Sequence, residues 1–125
     1  ISVPSEDSFV GLAKNNVLNM PPHHVTRWTD GSFRFIADRF GLQLETIHHH
    51  ELDPIHHRWY KSVSYRNTLG QLFGRRKKTL LDDGLIDRGL SVLSELLSQY
   101  GIQLGNAKKQ KLNGHTVTAV FRKIN

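Results

Sequence analysis

The 125-residue sequence contains no cysteine, which excludes disulfides, thiolate nucleophiles and cysteine-ligated zinc and fits a reducing compartment. It also lacks any run near the roughly 18 to 20 consecutive apolar residues that a membrane span requires, and no basic-then-apolar leader opens it. A soluble, cytoplasmic protein without a membrane partner is the expectation. Apolar residues make up 38% of the chain, enough for one modest core but not for two independent ones. Internal repeats and low-complexity tracts are absent as well.

What is present in excess is positive charge, a formal +6. Clustered Lys and Arg neutralise phosphates, so nucleic acid or another acidic partner is a reading to weigh. The dense basic runs are Arg75, Arg76, Lys77, Lys78 and Lys108, Lys109, Lys111. Both lie between periodic segments, where solvated loop charge is the usual explanation. A basic binding module using these runs with Trp59 and Tyr60 is therefore the alternative rather than the favoured function.

The apolar pattern alternates between strand and helix periods. Ile1-Ser2-Val3-Pro4 reads as the end of a buried strand whose neighbours lie elsewhere. Residues 5–20 show weak helical periodicity through Phe9, Leu12 and Ala13, then give way to Pro21-Pro22, which predicts a short helix or lid running into a loop. Thr29 as N-cap, Asp30 at the positive end of the helix dipole, Phe33, Ile36, Ala37 and Phe40 at helical spacing, and Gly41 as the closing residue predict a well-specified helix. Directly after it, Leu42, Leu44 and Thr46 alternate with Gln43, Glu45 and Ile47, a period of two that predicts a strand to about His49.

Asp53-Pro54 reads as N-cap and first helical residue, with Ile55, Trp59 and Val63 following at four-residue steps towards Phe73 and Gly74. A further helix has an apolar stripe of Ile86, Leu90, Leu93, Leu97 and Tyr100, ending at Gly101. Asn113-Gly114 is a turn signal, and residues 115–123 alternate with Val117, Ala119 and Phe121 on one face and Thr116, Thr118 and Val120 on the other. The expected architecture is one incomplete α/β domain over residues 1–125, with residues 53–112 forming a helical pair inserted between the last two strands. A strand apolar on both sides normally sits inside a parallel sheet covered by helices on both faces, and the chain has too few elements to build one.

The most unusual window is Asn19-Met20-Pro21-Pro22-His23-His24-Val25-Thr26-Arg27-Trp28-Thr29, which concentrates rigid, aromatic and titratable groups in a loop before a helix. With Ile1-Ser2-Val3-Pro4 before it, and residues 33–41 and 42–47 after it, this segment resembles the region following the fifth strand of class I S-adenosylmethionine-dependent methyltransferases. There a strand ending in Val-Pro leads through a lid to a Pro-Pro-His-His segment and a Trp-Thr capped helix. The match covers roughly the first 50 residues, and residues 115–123 are similar to the family's seventh strand, which hairpins back antiparallel to the sixth.

The resemblance implies a Rossmann-like sheet represented by strands 5, 6 and 7. It implies S-adenosylmethionine as cofactor, a missing N-terminal half as partner and an unidentified methyl acceptor. In that family the first half holds the cofactor through a glycine-rich turn and an acidic strand end. Here Gly11, Gly31, Gly41, Gly70, Gly74 and Gly84 never produce Gly-x-Gly-x-x-Gly after a strand. Cofactor-binding residues are therefore unassigned, and the chain is not expected to be active alone.

By position, His23 and His24 are the catalytic candidates, able to accept a proton or orient a nucleophile, while Pro21, Pro22, Arg27 and Trp28 border the acceptor pocket. An imidazole suits base chemistry near neutral pH, and methyl transfer needs a free lone pair on the acceptor. Structural roles stay open: the prolines can fix the entry angle, a histidine can bond a backbone carbonyl, and Arg27 and Trp28 can pack the helix start.

Eight histidines is a high count. His48, His49, His50, Glu51, Asp53, His56 and His57 resemble an oxygen and nitrogen ligand cluster for a divalent metal. On a strand His48 and His50 point the same way, whereas His56 and His57 diverge by about 100° on a helix. The spacing matches no established metal motif, so no metal ligand is assigned, and a metal site built from His48, His50, His56 or His57 stands as a further alternative function.

Overall fold

In the computed structural model, which describes residues 1–74, 81–82, 84–100 and 113–124, the chain is α/β. Its sheet has three strands, Ser2–Pro4 (β1), Leu42–Glu51 (β2) and Asn113–Lys123 (β3), in the order β1-β3-β2. β3 is antiparallel to both neighbours, so β1 and β2 run in the same direction. Three described α-helices accompany it, Asp30–Phe40 (α1), His57–Leu72 (α2) and Leu85–Tyr100 (α3). The chain divides into two compact units. The sheet unit takes Ile1–Gly11, Val17–Leu52 and the chain from Asn113, and the helical unit takes Leu12–Asn16 and the chain from Asp53.

The sheet unit is built as its apolar pattern predicts. Thr29 closes a capping box with Ser32 at the start of α1, and Gly41, with φ 59°, ends the helix in the left-handed region, where a side chain would be strained. α1 lays Phe33, fully buried, against Val117 and Ala119 of β3, and Val3, Trp28, Leu44, Ile47 and Phe121 surround them. Of the expected helix stripe, Phe33 and Ala37 are buried, Ile36 is half-buried and Phe40 is exposed.

β2 departs from simple alternation. Leu44 pairs with Phe121 but Thr46 pairs with Val120, an irregularity that inserts Glu45 as an extra residue. A bulge of this kind shifts the side-chain parity by one, which is why Leu44 and Ile47, an odd number of positions apart, both reach the core. The strand also runs two residues beyond the expected end, to Glu51. Asn113-Gly114, read from sequence as a turn, belongs to β3. Gly114 is required by close approach, since a Cβ there would lie 2.6 Å from the Glu51 carbonyl oxygen.

The face of the sheet opposite α1 is polar. Ser2, His48 and His50 are exposed on it and Thr118 is half-buried, so β1 is not the strand apolar on both sides that its sequence suggests. Only Val3 of that strand packs into the core, and Ile1 is about half exposed at 52%.

Between β1 and α1, where a short helix or lid is expected, the chain forms two 3-10 turns at Phe9–Leu12 and Val17–Asn19. A further 3-10 turn at Pro54–His56 precedes α2 and is capped by Asp53, whose carboxylate accepts from the Ile55 N–H at 2.9 Å. Placing Ile55 in this turn leaves it exposed, while Val63 is buried and Trp59 half-buried.

The largest departure lies in α3. Its inner row is Asp87, Leu90, Ser94 and Ser98, whereas Ile86, Leu93 and Tyr100 of the expected stripe are exposed. The reason is electrostatic. Asp87 is 1% exposed and pairs with the Arg66 guanidinium and with Lys14 Nζ at 3.5 Å. A buried carboxylate needs such partners, so α3 turns the row that carries Asp87 inward. The buried serines satisfy their hydroxyls on their own helix, Ser94 to the Ser91 carbonyl at 2.9 Å and Ser98 to the Glu95 carbonyl at 2.7 Å. The proposed end of this helix at Gly101 and both dense basic runs lie outside the described residues.

Candidate functional site

The loop singled out by sequence is anchored at the carboxyl end of β1. Ser5 forms a parallel bridge with Trp28, and the Glu6 N–H donates to the Trp28 carbonyl at 2.7 Å. Asp7 Oδ2 accepts from the Asp30 N–H at 2.8 Å, which places a carboxylate at the positive N-terminus of α1. The Arg27 guanidinium is ion-paired to Glu6. Glu6 and Asp7 therefore fix the loop at both ends of Trp28. From sequence they fall in the expected short helix or lid, and only their acidity beside a basic, helix-starting segment could have signalled their role.

Within this frame residues 21–26 are exposed. The Pro21-Pro22 peptide is cis, and the backbone N–H groups of His23 and His24 both donate to the Met20 carbonyl, at 3.0 and 3.2 Å. The imidazoles take no part in that turn. Neither makes a side-chain hydrogen bond to a described residue, so the turn presents two imidazoles to solvent.

Trp28 combines two roles. Its ring stacks on Phe33, with centroids 5.4 Å apart and planes at 18°, and its indole N–H donates to Thr26 Oγ1 at 2.9 Å. It also helps line an open depression of about 500 Å³ with Thr26, Arg27, Gly31, Phe35 and Ile36. The structure thus brings Arg27 and Trp28 to one cavity, with His23 and His24 on the preceding turn. Arg27 reaches it already neutralised by Glu6.

The histidine tract splits across the sheet. His48 and His50 share the polar face, with ring centroids 4.9 Å apart. His49 lies on the other face, where its Nε2 meets the Asp30 carboxylate at 3.0 and 3.3 Å. That contact ties β2 to the first turn of α1, and strand alternation alone is enough to separate His49 from its neighbours. His56 and His57 belong to the helical unit, where His56 packs edge-on against Trp59 at 5.9 Å. Among the described residues no group of three or more His, Asp or Glu converges as a metal site.

The helical unit has a polar cleft of its own, about 330 Å³, lined by Lys14, Asn15, Trp59, Arg66 and Ser94 among others. Burial pushes the Arg66 guanidinium below its ordinary value, and Asp82 partly offsets this. An arginine stays charged at neutral pH even so, and here its direct partner is Asp87.

Among the described residues no glycine-rich turn directly follows a strand. The turn after β1 carries Ser5 and Glu6, and its acidic side chain is already held by Arg27. The chain matches no family model, and no curated protein and no solved structure shows significant similarity to it. Among the described residues no helix is long and apolar enough to cross a membrane.

Proposed function

We propose that this chain is the C-terminal part of an S-adenosylmethionine-dependent methyltransferase and supplies the acceptor side of its site. The observation that carries the reading is the position of the Pro-Pro-His-His-Val-Thr-Arg-Trp loop. It is pinned by Ser5 and Glu6 to the carboxyl end of a strand that runs parallel to β2. The described sheet is antiparallel; in the mostly parallel sheet of the proposed whole fold, ligands bind outside the carboxyl ends of the strands, where this loop would then lie. Support also comes from the antiparallel pairing of the last two strands, which the resemblance implies, and from exposed apolar residues on α1 and α3 such as Phe35, Phe40, Ile86 and Leu93. A larger fold would cover residues of this kind.

The described residues do not fit the cofactor, which the remainder of the fold would hold and which would supply the methyl group. What this chain contributes is orientation and proton handling. Trp28, locked on Phe33, forms one wall of the depression. His23 or His24, both exposed on the turn, takes the proton that the acceptor atom loses. Positioning by the rigid turn supplies further advantage.

The test uses a polypeptide extended by the upstream coding sequence and supplied with methyl-labelled S-adenosylmethionine and a small-molecule cell extract. Replacing the reactive histidine with asparagine is expected to lower label transfer by about 10²- to 10⁴-fold. Full transfer in His23→Asn, in His24→Asn and in the double variant would remove the catalytic assignment.

A further inference from the structure

His48 and His50 stand on the exposed, polar face of β2, two residues apart, so their side chains project the same way. Their ring centroids are 4.9 Å apart with planes at 75°. Two imidazoles that each place one nitrogen about 2.0–2.1 Å from a shared ion, at angles between about 90° and 110°, have ring centres roughly 4.5 to 5.2 Å apart. The observed separation falls inside that range before any ion is considered.

The surroundings also orient one of the rings. His50 Nε2 lies 2.9 Å from Thr118 Oγ1, and the Thr118 hydroxyl donates onward to Ser2 Oγ at 3.1 Å. Because that hydroxyl proton is committed to Ser2, the remaining arrangement has His50 donating Nε2–H to Thr118 Oγ1. The lone pair then resides on Nδ1. Fixing the tautomer through a hydrogen bond on the far nitrogen is the usual outer-shell device of metal-binding histidines. His48, directly opposite Thr118 in the register, makes no hydrogen bond to a described residue and is free to turn a nitrogen towards the same point.

We propose that His48 and His50 form an open, two-histidine site for a borderline divalent transition-metal ion, oriented through Thr118 and Ser2. Imidazole suits zinc, nickel and copper, and the ordinary order of divalent affinities makes copper(II) the tightest of these. With no third protein ligand among the described residues, water completes the coordination. The site is thus exchangeable rather than structural. It is separate from the methyltransferase reading and does not depend on it.

The experiment titrates the 125-residue chain with copper(II) chloride by calorimetry, with electron paramagnetic resonance reporting the nitrogen ligands. One ion per chain with two imidazole nitrogens is the expected result. His48→Asn and His50→Asn should each weaken binding at least tenfold, and Thr118→Val, which removes the orienting hydroxyl, by about tenfold. The double variant His23→Asn with His24→Asn should bind as the parent does, within twofold. His23, His24, His48 and His50 are exposed and Thr118 is half-buried, and circular dichroism checks that the folds match. If either the His48 or the His50 variant keeps the parent affinity within twofold, or if the loss follows His23 and His24 instead, the assignment is wrong.

Discussion

The two units of this chain organise their interiors in opposite ways. The sheet unit centres on Phe33, Val117 and Ala119, apolar side chains shielded from water on all sides. The helical unit buries, besides apolar side chains such as Val63, Tyr65 and Leu90, the carboxylate of Asp87, held by Arg66 and Lys14, and exposes much of the apolar surface of α3. An apolar core needs only shape and pattern, whereas a buried carboxylate dictates which face of its helix turns inward, because the cost of stranding it exceeds the gain from burying another leucine.

The two tryptophans allow the contrast to be measured, since Trp28 belongs to the sheet unit and Trp59 to the helical unit. Trp59→Phe and Trp28→Phe backgrounds let urea unfolding be followed by fluorescence in each unit separately. Phe33→Ala should have the largest effect, about 4 kcal/mol on the transition seen by Trp28, from lost burial plus the cavity left behind. Asp87→Ala should cost about 3 kcal/mol on the transition seen by Trp59, because it strands the Arg66 guanidinium without its partner. A negligible Asp87 effect would dissolve the comparison.

A paired substitution on α3 sharpens it. Leu90→Ala should destabilise by about 2 kcal/mol or more, whereas Leu93→Ser, on the exposed side, should change stability by no more than about 0.5 kcal/mol. The expected sequence stripe places both residues on one buried face and so predicts similar losses. Urea midpoints for the two variants decide between the arrangements.

That same contrast explains what was readable in the sequence. Thr29 and Gly41 bounded α1 because cap chemistry is local, and Val117, Ala119 and Phe121 declared their face because β3 alternates without interruption. The bulge at Glu45 was not legible, since a one-residue slip in pairing depends on the partner strand. Nor was the inward turn of α3, because the partners of Asp87 lie on Lys14 and Arg66, far away in sequence, and periodicity weighs only apolar residues. In the candidate site, the unusual loop stood out by composition. Its anchors Glu6 and Asp7 did not, because their roles arise only when the strand end and the helix start meet.

The measurement that bears most directly on the central claim is calorimetric titration with S-adenosylmethionine of the 125-residue chain and of the polypeptide extended by its upstream coding sequence. The account predicts no detectable binding by the short chain and one molecule bound per extended polypeptide. An extended polypeptide that folds cooperatively and binds no S-adenosylmethionine would contradict it.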